Sequence, residues 1–196
     1  MKLTCQSFFP GCNFEYLDLN QFYLRNKERI TDTKTPEQIQ WELNALRQGD
    51  DVWVETYGGY GENRKDIWKG TYLDEKKNYI HLGIDINAIW GTAIYCPFDA
   101  HVINYLNDTD TKIGWGGRII LQQIDSPSPF LILAHIEPNS LITNKTTFKK
   151  GDFLGMVGIW PTNGNTFQHL HVQCVKELDI NNFDNLGSQQ TPIPLG

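Results

Sequence analysis

The chain has 196 residues, of which 40% are apolar, 12% aromatic and 20% charged. That balance belongs to a globular protein long enough to bury one real core. A formal net charge of −6 argues against a nucleic-acid backbone or an anionic membrane surface as the main partner, and no apolar run approaches the ~18 residues of a membrane span.

Residues 1–50 read as an N-terminal extension. The opening stretch MKLTCQSFFPGCNFEY lacks the apolar segment and small-residue cleavage site of a signal peptide. A cytoplasmic location is therefore the default, with export needed if the substrate lies outside. Cys5 and Cys12 could bridge in an oxidising compartment, whereas Cys96 and Cys174 sit in apolar runs and read as small buried thiols. Residues 1–34 show no clean periodicity, so an irregular arm with a short helix near YLDLNQFYLRNK is expected. The clearest helix runs from Pro36 to about Gln48. Thr35 caps it, Gln38 completes a capping box and Gly49 ends it. Ile39, Leu43 and Leu46 give it an apolar stripe to dock on the body.

From residue 51 short runs rich in Val, Ile, Tyr and Trp alternate with Gly, Asn, Asp and Pro turns. DVWVETY, NYIHLGIDINA, TAIYCPF, AHVINYL, GRIILQQI, FLILAHI, FLGMVGIW and HLHVQCV have the spacing of an all-β domain over residues 51–180. The last residues, 181–196, form a tail with little core material.

Five histidines are present, and two of them, His169 and His171, fall one residue apart in the last strand. Successive strand side chains alternate, so both share a face opposite Leu170. They are either two polar surface residues or part of a metal site that needs a further ligand elsewhere. His81 and Asp85 are candidates. In a straight strand they stand ~13 Å apart, too far to share an ion, but Gly83 between them permits a bend. The alternative is a strand end with a solvated Asp. With His171 they would make a two-histidine, one-carboxylate set that leaves a fourth tetrahedral position open, the pattern of a catalytic zinc. His135 ends an apolar strand, where it is either simply hydrogen-bonded or presented to a cleft as an acid–base group. His101 has no partner in this scheme and reads as structural or exposed.

The order H-x-G-x-D (His81, Gly83, Asp85), then A-H (Ala134, His135), then H-L-H (His169 to His171) resembles the M23 metallopeptidases, the lysostaphin-like or LytM-like endopeptidases. GTAIYCPFDAHV and FKKGDFLGMVG are similar to that family's supporting stretches, and the resemblance covers roughly residues 78–176. It implies a small, mainly antiparallel β-sheet catalytic domain of barrel-sandwich type with an open groove, here carrying an N-terminal helical extension. It implies one Zn2+ per chain held by His81, Asp85 and His171, with His135 and His169 as the catalytic pair. The implied activity is hydrolysis of peptide bonds in peptidoglycan stems or cross-bridges, or in related small Gly- or D-amino-acid-containing peptides.

Some residues depart from the family pattern. Gln168 stands where proline usually precedes H-L-H, Leu133-Ala134 replaces Tyr-Gly, and His101 takes a glycine position. The stretch GGYGENRKDIW is similar to one branch of the family and would put Tyr60, Glu62 and Arg64 on one strand face. Arg64 then either grips a substrate carboxylate, beside Tyr60, or pairs with Glu62. Two other functions remain open: a cytosolic zinc hydrolase with a non-wall substrate, and a metal-binding interaction module without catalysis. A monomer acting on peptide, with no nucleic-acid partner, is the simplest expectation.

Overall fold

In the computed structural model the described residues are 3–16, 55–65, 74, 77, 79–108, 114–126, 129–164 and 167–179. The sequence-predicted helix over residues 36–48, the tail 181–196 and all of the helix expected near residues 16–27 except Tyr16, which is in a strand, lie outside them.

The described residues are mainly β. Ten strands form in chain order: β1 (Phe14–Tyr16), β2 (Glu55–Gly58), β3 (Ile84–Asn87), β4 (Ala93–Tyr95), β5 (Ala100–Asp108), β6 (Gly116–Gln123), β7 (Phe130–Ile136), β8 (Thr147–Phe148), β9 (Phe153–Met156) and β10 (Leu170–Val175). Eight of them make one sheet in the order β1-β2-β3-β10-β7-β6-β5-β8, and β4 pairs with β9 in a second, smaller sheet. Every pairing is antiparallel except that of β1 with β2. The arm at residues 3–16 contains only a single 3-10 turn, Cys5–Ser7, before joining the sheet as β1. Its Phe8 and Phe9 are fully buried.

The core follows from strand alternation. Ile119 and Leu121 of β6, Leu131 and Leu133 of β7, and Leu170, Val172 and Cys174 of β10 point to one face, where Ile94 of β4 and Leu154 of β9 cover them. Burying such a branched side chain contributes about 1.5–3 kcal/mol, so this face fixes the register of all three central strands. The opposite face carries Ile120, Ile132 and Val175 at one end, with Trp115 and Phe130 against them. Toward the other end of β10 that same face presents His171 and Gln173.

Three local features depart from straight strands. Ahead of β3 the chain bends at Gly83, so His81 lies outside the strand that carries Asp85. Residues 60–64 do not form the strand face expected for Tyr60, Glu62 and Arg64. The chain leaves β2 at Gly58 and turns, with Gly59 and Gly61 at φ of 106° and 74°, a conformation that glycine adopts without a Cβ clash. The third is a β-bulge where β7 meets β6. Gly117 pairs with Ile136 and Ile119 with Leu133, so Ala134 and His135 oppose Arg118 alone.

Candidate metal centre

Asp85 and His171 are direct partners in the β3–β10 ladder. The same row runs from Gly58 of β2 through Asp85 and His171 to Ala134 of β7, so small residues flank the two candidate ligands. The bend at Gly83 then brings His81 over Asp85. His81 Nε2 lies 3.0 Å from His171 Nδ1 and 3.3 Å from Asp85 Oδ1, and His171 Nδ1 lies 3.1 Å from the same oxygen. Glycine is required at 83 for space. A Cβ there would strike the His171 ring and come within 2.8 Å of the Val172 carbonyl.

His135 reaches the site by a different route. In regular alternation it would follow Leu131 and Leu133 to the core face. Instead its φ is 64°, in the left-handed region, and the bulge turns its ring to within 4.4 Å of the His169 ring, centroid to centroid. Such a conformation costs a non-glycine residue of order 1–3 kcal/mol. Backbone hydrogen bonds hold it, from His135 N to Trp115 O and from Gly158 N to His135 O.

Each ring has one nitrogen occupied behind the site. His81 Nδ1–H donates to Gly59 O at 2.8 Å, His135 Nδ1–H to Asn163 O at 2.8 Å and His169 Nδ1–H to Phe167 O at 2.8 Å. His171 is reversed: its Nε2–H donates to Gln173 Oε1 at 3.0 Å, which leaves Nδ1 facing inward. Outer acceptors of this kind set the tautomer of a metal-binding histidine. Trp115 stands edge-on to His171, with centroids 5.5 Å apart.

Asp85 is fully buried, and its two oxygens serve different groups. Oδ2 accepts from Arg64 Nη1 at 2.6 Å, while Oδ1 faces His81, His171 and, at 3.3 Å, His169 Nε2. Arg64 is itself buried and also pairs with Glu62 at 3.1 Å. Of the two alternatives for Arg64, the ion pair with Glu62 is the one present. Tyr60 is exposed at the neighbouring turn and His101 is exposed on β5. Cys5, Cys12, Cys96 and Cys174 are all thiols.

The electrostatics favour lone-pair donors. Burial, with Arg64 nearby, pushes the His81 imidazole down to about 4, and burial does the same to His169. Burial also holds His135 well below its usual range, helped by His169 and His171. For Asp85 burial acts upward, but His169, His81, Arg64 and the His171 hydrogen bond outweigh it and keep the carboxyl well below the usual carboxylate range. At neutral pH His81, His135 and His169 are thus neutral imidazoles beside one carboxylate anion.

Two groups of donors are close enough to hold a cation, His81–Asp85–His171 and His135–His169–His171, each within 4.8 Å. Bonds of about 2.0–2.1 Å from a tetrahedral zinc set its ligand atoms about 3.3–3.4 Å apart. The 3.0, 3.1 and 3.3 Å separations in the first group match three corners of such a tetrahedron. The residues present fit the ion.

Gly59, Trp115, Asn163, Phe167 and Gln173 are the members of the site that the sequence reading did not pick out. Gln173 had a signal, since it continues the His169–His171 face by one more strand step. Asn163 had none; it lies in a turn and is fully buried, with its Nδ2 donating to Phe167 O at 3.2 Å.

This architecture is that of the lysostaphin-like β-sheet peptidase domains. Among solved structures the chain is similar to the catalytic domain of the antimicrobial peptidase lysostaphin from Staphylococcus simulans, with a TM-score of 0.51 and 19% identity, over 79% of this chain and 95% of that one. A mutant catalytic domain of the prophage-encoded M23 protein EnpA from Enterococcus faecalis aligns at a TM-score of 0.48 and 22% identity, over 70% of this chain and 86% of that one. At such identities the likeness is one of fold. No protein-family model matches the chain, and no curated protein does.

Proposed function

We propose that the protein is a zinc-dependent endopeptidase of the M23 type, with His81, Asp85 and His171 as metal ligands and His135 and His169 as the catalytic pair. The observation that carries this reading is the convergence of His81 Nε2, His171 Nδ1 and Asp85 Oδ1 within 3.0–3.3 Å of one another, with two further imidazoles alongside. When bound there, the ion supplies Lewis-acid polarisation of a carbonyl and brings the pKa of water to near 7.

The chain's own residues do the rest. His169 and His135 each keep an Nε2 lone pair free of the backbone carbonyls that occupy their Nδ1 atoms. One accepts the proton of the water that attacks the scissile carbonyl carbon. The resulting imidazolium then delivers that proton to the departing amine, while the other ring lies against the tetrahedral oxyanion. Arg64 acts from behind, holding Asp85 through Oδ2. Tyr60, exposed beside Gly59, is the proposed substrate contact. The substrate class is small peptides containing Gly or D-amino acids, as in peptidoglycan stems or cross-bridges.

Incubating the zinc-loaded protein with purified sacculi and with a D/L peptide library, followed by mass spectrometry, tests this. New termini that disappear after chelation and return with zinc are the expected result. Intact substrates with a fully loaded metal site would overturn the peptidase reading.

A further inference from the structure

We propose that the substrate carries a bulky apolar side chain, such as leucine or phenylalanine, next to the scissile bond, and that Trp90 and Trp160 seat it. This rests on the peptidase reading above and narrows its substrate class. Nine large apolar residues are exposed among the described residues, and five of them (Ile89, Trp90, Met156, Ile159 and Trp160) fall on two segments, 89–92 and 156–163. The segments lie side by side: Gly91 N donates to Val157 O at 3.0 Å and Val157 N to Thr92 O at 2.9 Å. Exposed apolar residues scattered singly are ordinary, whereas a contiguous patch marks a binding surface. Trp90 is 55% exposed and Trp160 45%, so the two indoles offer its largest open areas.

The same segments are tied to the catalytic pair. Trp90 N–H donates at 2.9 Å to Oε1 of Gln168, the residue before His169. Gly158 N donates to the His135 carbonyl at 3.0 Å, and the Asn163 carbonyl takes the His135 Nδ1 proton at 2.8 Å. The patch is therefore continuous with the site of cleavage, and its occupant is part of the substrate. Each segment is also closed on itself. Thr92 N and Oγ1 both donate to Ile89 O, and Asn163 N donates to Ile159 O. Segments held in this way lose little freedom when a ligand arrives, so apolar burial there converts into affinity. The chemistry of the patch selects the occupant. The Thr92 hydroxyl is engaged by Ile89 O, and the Thr162 hydroxyl lies 2.7 Å from Glu137 Oε2 and 2.8 Å from Ile159 O. A sugar needs partners for its hydroxyls, and a bare glycine run has no side chain to bury. Leucine or phenylalanine covers the indoles and needs no polar partner.

The experiment uses glycine peptides in which one position at a time is Ala, D-Ala, Leu or Phe. Calorimetry follows their binding to the metal-free full chain, and mass spectrometry follows their cleavage by the zinc-loaded chain. Leu and Phe peptides are expected to bind more tightly and to show about 10-fold higher kcat/KM than their Gly and Ala counterparts. Trp90→Ala and Trp160→Ala should each bring them down toward the glycine level. Equal handling of all peptides by the parent, or a preference that survives both substitutions, overturns the subsite and leaves the peptidase reading standing. A preference in binding that both substitutions remove, with no peptide cleaved, upholds the subsite and removes the peptidase reading. Neither binding nor cleavage overturns both. Concentration-dependent dimers in sedimentation that Trp90→Ala abolishes, with no peptide preference, would give the patch to a second copy of the chain and overturn the subsite as well.

Discussion

Asp85 and His171 face each other across the β3–β10 ladder, and their Oδ1 and Nδ1 atoms are 3.1 Å apart. The pairing is set by the apolar residues on the other side of the same strands, since Leu170 and Val172 must enter the core for His171 to leave it. The candidate metal centre is thus positioned by packing on the face it does not occupy.

Ligand and catalyst should separate in substitutions. His171→Ala removes a donor and the two that remain cannot close a stable site, so zinc is lost along with activity. His135→Ala and His169→Ala are expected to keep the zinc and lose about 10²–10⁴-fold in kcat. Metal analysis alongside single-turnover rates checks this. If His169→Ala strips zinc as readily as His171→Ala, the division of roles is wrong.

Gln173→Leu keeps much of the side-chain volume but leaves the His171 Nε2–H without its acceptor. Loss of such a partner costs about 10–100-fold in metal affinity, and Gln173→Glu should restore most of it. Equal zinc affinity in Gln173→Leu and the parent, measured by chelator competition, would mean that His171 is oriented by something else.

Gly83→Ala tests the close approach. The added methyl must displace the His171 ring or the Val172 carbonyl, so both zinc affinity and Tm are expected to fall. Gly83 is not among the residues of positive φ, so a loss would report space and not backbone strain. An unchanged Tm with full zinc loading would show that the ring can move at no cost.

Arg64→Leu leaves two buried carboxylates, Asp85 and Glu62, without their shared cation. Removing one partner from a buried ion pair costs about 3–5 kcal/mol, and denaturant melts should show it in the metal-free chain. A change in KM alone, with stability intact, would instead return Arg64 to the role of a substrate clamp.

The metal-free protein should weaken as the pH falls below 6.5. His81 and His169 are held at about 4 in the folded chain against an ordinary 6.5. Between those values the unfolded chain binds more protons, so stability is full above 6.5 and is lost on the way down to about 4. Asp85, held below 3.8, adds stability above that value and surrenders it only at lower pH. Thermal melts of chelated protein from pH 8 to pH 4 check this; a flat Tm across that window would contradict it.

The β architecture was legible because alternation is a local property. Leu170 and His171 occupy opposite faces of any strand containing them, and runs such as GRIILQQI leave few other options. The histidine and aspartate motifs could be read as a set for the same reason, from order and spacing along the chain. The meeting of residues 81, 85 and 171 was not local: it depends on a bend at Gly83 and on a ladder joining positions 86 residues apart, neither of which spacing can specify. His135 depends on a bulge that arises only when β6 and β7 are paired. Asn163 carries no motif, and it supports His135 through a backbone carbonyl that any residue could offer. Sequence determined which side chains are chemically able to build the site, because side-chain chemistry and strand period travel with the chain. Tertiary structure alone decided which nitrogen each histidine presents, because that is fixed by hydrogen-bond acceptors supplied from distant segments.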